Sequence, residues 1–125
     1  MAIHIGFEVV PDAKRLRILL DALVRLNLYE LSIRRLPPLY RSGVRYKREP
    51  MALGRPERWQ TITDVLKRGH GDCEDLASIR VAELRRQGVR ATPWLRKRGN
   101  IWHVVVRYPD GRIEDPSKIL GMKSE

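Results

Sequence analysis

The chain has 125 residues, 42% of them hydrophobic and 32% charged, with one cysteine and a formal net charge of +10. Such a length fits one domain with a modest core, and a single Cys excludes both a disulfide framework and a multi-cysteine zinc site. No apolar run approaches the ~20 residues of a membrane helix, Met1 to Glu8 lacks the basic and apolar regions of a secretory signal, and a lone thiol suits a reducing compartment, so a soluble, cytoplasmic protein without membrane contact is expected.

Ile3, Ile5, Phe7 and Val9 alternate with polar residues and Gly6, the period of a half-buried strand that Pro11 ends. Asp12 is a suitable N-cap for a helix from about Ala13, in which Leu16, Leu19, Leu20, Leu23, Leu26 and Leu31 form a core-facing stripe. Lys14, Arg17, Asp21 and Arg25 occupy the solvated face. Leu36-Pro37-Pro38-Leu39 stops the helix. From Tyr40 to Pro56 the chain has no period, and we read it as a functional loop in which Tyr40 and Tyr46, set among arginines, are candidates to line a substrate groove.

Thr63 to Arg68 reads as a short helix closed by Gly69. Asp72 then caps a second helix, with Asp75 placed to complete a capping box, and this helix runs from Cys73 to about Gln87 with Gly88 just beyond it. Cys73, Ala77, Val81 and Leu84 share its buried face. Ala91–Lys97 and Ile101–Tyr108 read as a strand pair, and Pro109-Asp110-Gly111 turns into a third strand over Ile113–Asp115. If Tyr108 opposes Arg112, residue 117 falls opposite His103 and Asp115 becomes its diagonal neighbour on the same face, about 7–8 Å away at Cα. Glu114 then points to the other face. The pattern predicts an α+β domain with the cysteine helix packed on a small antiparallel sheet.

Cys73, His103 and Asp115 follow one another in an order suited to a thiol nucleophile, a general base and a carboxylate that orients the base. A cysteine at a helix start meets free N–H groups and the positive end of the helix dipole, so its pKa is expected below the ~8.5 of a free thiol. The Cys73 N–H is the natural first donor to an oxyanion, with Gln60 or Trp59 as the second. Asp72, Glu74 and Asp75 surround the thiol with negative charge. The reading favoured here is helix capping, with no cofactor. His70 reads as a surface-loop histidine.

The run Trp59…Thr63-Asp64-Val65-Leu66…Gly69-His70-Gly71-Asp72-Cys73-Glu74-Asp75-Leu76-Ala77, with His103 and Asp115 downstream, resembles the transglutaminase-like cysteine peptidase superfamily, in particular bacterial and phage members with a G-x-G-D-C-E-D core. The resemblance covers residues 56–122 and implies a papain/transglutaminase-like catalytic core, to which residues 1–55 add a strand, a helix and a loop within a single domain. It implies Cys73 as nucleophile, His103 as base and Asp115 as the orienting acid. The implied activity is cleavage of an amide or peptide bond in a peptide or protein substrate through a thioester, in the host cytoplasm or in a virion if the protein is phage-encoded. Acyl transfer to an amine is the alternative enzyme activity. A non-catalytic basic assembly or nucleic-acid-binding module is the alternative outside enzymology. Similarity to adhesin-cleaving peptidases of this type implies a Ca²⁺ site at Asp72, Glu74 and Asp75, although calcium wants six to eight oxygens. The charge of +10 suits polyanions, but its scatter along the chain predicts only weak, non-specific nucleic-acid binding. Oligomeric state is not encoded in these patterns.

Overall fold

The computed structural model describes residues 12–48, 59–98 and 101–123. The strand expected over Ile3–Val9 and the stretch from Glu49 to Arg58 lie outside the described residues.

Helix α1 spans Ala13–Ile33. The Asp12 side chain accepts from the Arg15 N–H at 2.8 Å and caps it. Leu16, Leu19, Leu20, Leu23 and Leu31 are buried as the periodicity demands, with Val24 and Asn27 added, while Leu26 is only half-buried. Arg34 turns extended and ends the helix ahead of the two prolines.

The segment after Pro38 is more ordered than a loop. Leu39–Arg41 form a 3-10 turn, and strand β1, Arg45–Tyr46, pairs in parallel with β2, His70–Gly71. His70 is therefore a half-buried strand residue and not a loop-surface one. Between these strands helix α2, Ile62–Arg68, closes on Gly69 at φ 79°, a left-handed C-cap that glycine adopts without steric cost. At its other end Thr61 provides no side-chain cap. The partners come from α1 instead, as Asn27 Oδ1 accepts from Ile62 N at 2.8 Å and Glu30 Oε2 from Thr63 N at 3.1 Å. Asn27 is fully buried, and this bond offsets part of the cost of burying its amide.

Helix α3, Cys73–Arg86, is the hub of the fold, packed against α1 on one side and the sheet on the other. Every residue from Cys73 to Ile79 is buried. Asp72 and Asp75 form the expected capping box. Gly71 allows β2 to reach this helix, since a Cβ there would stand 3.2 Å from both Asp75 Cβ and Leu76 Cδ2. Strands β3 (Thr92–Arg98), β4 (Ile101–Arg107) and β5 (Ile113–Glu114) form an antiparallel sheet in that order, and helix α4 (Pro116–Ile119) follows at once. Leu95, Val104 and Val106 join Leu76, Ile79 and Val81 in one core. The architecture is α+β with small sheets, as the patterning predicts.

Candidate active site

Cys73 is the first residue of α3 and only 5% exposed. Its N–H donates to Asp72 Oδ1 at 2.7 Å, so the expected first oxyanion donor is already engaged by the helix cap. Its sulfur lies 3.5 Å from Glu74 Oε2 and within reach of the Val104 N–H of β4. Burial pushes the thiol well above the usual range, and the charges of Glu74 and Asp72 push it further, with the Val104 N–H acting in the opposite direction. The expected low thiol pKa is thus overturned. Desolvation and two nearby carboxylates outweigh the partial charge of one helix end.

His103 and Asp115 meet. The Tyr108 N–H donates to Arg112 O at 2.9 Å, and the register runs on through Arg107↔Ile113 and Val106↔Glu114 as the turn predicts. The strand stops there. Asp115 caps α4 through the Lys118 N–H at 3.3 Å, and its other oxygen lies 2.8 Å from His103 Nε2. Burial opposes the Asp115 charge, but the His103 hydrogen bond and the Lys118 N–H hold its pKa below the usual carboxylate range. With Nε2 engaged, Nδ1 is the ring nitrogen available for proton transfer. Among the described residues no hydrogen bond joins His103 to Cys73. Val104, which follows His103 in β4, lies near enough to the sulfur for its N–H to pull the thiol pKa down.

Glu114 faces away from this pair. Its Oε2 accepts from Arg80 Nε at 2.7 Å and from the Tyr40 hydroxyl, and its Oε1 from the Tyr108 hydroxyl at 2.6 Å. Tyr40 thus has its hydroxyl committed to a cross-link between the 3-10 turn and β5, away from the thiol. Tyr46 lies beside the Asp72–Cys73 turn. Its hydroxyl is pushed far up by burial and then by the charges of Asp72 and Cys73.

Gln60 is brought to the same turn. Asp75 Oδ1 accepts from the Gln60 N–H at 2.8 Å, and Asp75 Oδ2 from Gln60 Nε2 at 3.3 Å. Gln60 is buried, whereas Trp59 is half-buried and packs against the core. Asp75 Oδ2 also accepts from the Asp72 N–H at 3.2 Å. Its oxygens therefore serve two backbone N–H groups and the Gln60 amide. Asp72, Cys73 and Glu74 each have a donor atom within 4.8 Å of the others, which gives two carboxylates and a sulfur. That set does not fit calcium, a hard ion that requires oxygen ligands in greater number.

Two roles at the thiol were not anticipated. Glu74, fully buried with Oε1 unpartnered, is the hydrogen-bond partner of the thiol, and burial followed by the Asp75 and Asp72 charges raises its own pKa well above the usual range. The Val104 N–H is the other. Adjacency of Glu74 to Cys73 was the available signal, but helical position alone does not reveal that an acid at N2 turns inward. No family model, curated protein or solved structure matches the chain.

Proposed function

We propose that this protein is a cysteine hydrolase that cleaves an amide or peptide bond, built on a papain/transglutaminase-like core. The observation that carries the reading is the His103 Nε2–Asp115 Oδ2 contact of 2.8 Å, which orients an imidazole one residue from the backbone N–H that faces Cys73 Sγ. His103 Nδ1 takes the thiol proton and the sulfur adds to the substrate carbonyl carbon. The C–N bond then breaks, and His103 returns the proton to the departing amine. Water, deprotonated by the same nitrogen, attacks the thioester, releases the acid and restores the thiol. Gln60 Nε2, held by Asp75 beside the nucleophile turn, is our candidate oxyanion donor.

One observation favours a second reading. The thiol is buried, raised in pKa and bonded to Glu74, the state of a cysteine that does no chemistry, and a basic binding module would have such a residue. Iodoacetamide labelling across pH separates the two. A hydrolase gives labelling of Cys73 that slows sharply in His103→Ala. Labelling that follows an unassisted thiol and is indifferent to His103 sinks the hydrolase reading.

A further inference from the structure

The hairpin that carries His103 is one-sided in charge. Residues 92–107 include Arg96, Lys97, Arg98 and Arg107 and no Asp or Glu. Strand alternation and the β3–β4 register sort these residues by face. Leu95, Val104 and Val106 turn into the core. On the other face Arg96 stands directly opposite His103, Trp94 opposite the fully buried Val105, and Arg107 opposite Thr92. Trp94 is 36% exposed, with the Arg107 guanidinium 4.6 Å and the α1 residue Arg17 5.9 Å from its ring centroid. Among the described residues neither Arg96 nor Arg107 has a carboxylate partner. Asp115, on this side too, has its carboxylate committed to His103 and the cap of α4.

We infer that the substrate of this site is an acidic polypeptide segment, whose carboxylates lie against Arg96 and Arg107 on the sheet face that presents His103. The inference rests on the cysteine-hydrolase reading above. Charge complementarity selects an anion, since free cations beside an aromatic surface attract carboxylates and leave no acid of their own to compete. The chemistry selects a peptide over a nucleic acid, because a thiol–imidazole pair needs an acyl carbon to attack and a phosphodiester backbone has none.

The test measures protection of Cys73 in the full chain against iodoacetamide, with two acetylated peptide aldehydes of equal length as probes. One is rich in Glu and the other has Gln at each of those positions. The thiol adds across the aldehyde, sulfur to carbon and proton to oxygen, so bound aldehyde blocks alkylation. An exposed ion pair is worth at most about fivefold, so two of them should let the Glu peptide protect at a roughly tenfold lower concentration. The ratio should fall towards one at about 0.5 M salt and in Arg96→Gln, a change at an exposed position. Equal protection by both peptides, or a ratio unmoved in Arg96→Gln and Arg107→Gln, overturns the inference. Stronger protection by a single-stranded oligodeoxynucleotide than by either peptide overturns it in favour of nucleic acid. His103-dependent labelling combined with a ratio of one removes the acidic substrate and leaves the hydrolase standing. Labelling indifferent to His103 removes both.

Discussion

Glu74 Oε2 stands 3.5 Å from Cys73 Sγ, so the residue after the nucleophile candidate, and not the histidine, is the hydrogen-bond partner of the thiol at rest. Its charge and its hydrogen bond both raise the thiol pKa. Glu74→Gln removes the charge with little change of shape, so the midpoint of the alkylation–pH profile should move down and labelling at pH 7 should be several-fold faster. An unchanged midpoint in the folded variant would show that burial alone sets the thiol.

The same substitution has a stability signature. A carboxyl whose folded pKa is raised opposes folding above its unfolded value of ~4.3, and that burden is absent once the group is protonated in both states. Glu74→Gln should therefore melt higher than wild type at pH 7, with the difference shrinking towards pH 4. Differential scanning at both pH values reads this directly.

Asp115 and Glu114 should differ in what their loss affects. Asp115→Asn should slow Cys73 labelling with the fold retained, because His103 loses the acceptor at Nε2. Glu114→Gln should leave labelling nearly intact but cost about 1.5–3 kcal/mol in urea unfolding, since Arg80 would lose the closer of its two carboxylate partners and keep only Glu83 at 3.5 Å. Both carboxylates have pKa values held down in the fold. Their contribution is present above the unfolded values of ~3.9 and ~4.3 and is lost as pH falls through the lower folded values, so both single variants should flatten the acid limb of the stability curve.

Asp72→Ala should lower stability by about 0.5–2 kcal/mol, the usual cost of a lost N-cap. A chelator should not move the melting temperature, and added Ca²⁺ should not raise it, because a cation that binds only the folded state would stabilise by mass action. A calcium-dependent rise that disappears in Glu74→Gln would restore the metal reading.

Features written into neighbouring residues were legible in the sequence. The Asp12 cap, the Asp72–Asp75 capping box, the Gly69 stop and the Tyr108–Arg112 register all depend on a few consecutive positions, whereas Asp115 meets His103 from the cap of α4 and not, as expected, as a diagonal neighbour within the sheet. Features made by distant segments were not. Pairing of Arg45 with His70, capping of α2 by Asn27, and Tyr40 bonding to Glu114 join residues 25 or more positions apart, and no short pattern specifies them. The thiol pKa failed for a related reason. A helix start is visible in sequence, whereas the depth of its burial is set by everything packed around it.

The loan of caps from α1 to α2 has a kinetic consequence. A seven-residue helix is too short to persist alone in water, and this one has no cap of its own at Thr61. Its first turn can close only after Asn27 and Glu30 are already in place, so α2 should order late, behind α1. Amide exchange at Ile62 and Thr63 would then report the docking of a helix more than thirty residues upstream, and Asn27→Ala should release those two amides while α1 itself stays protected.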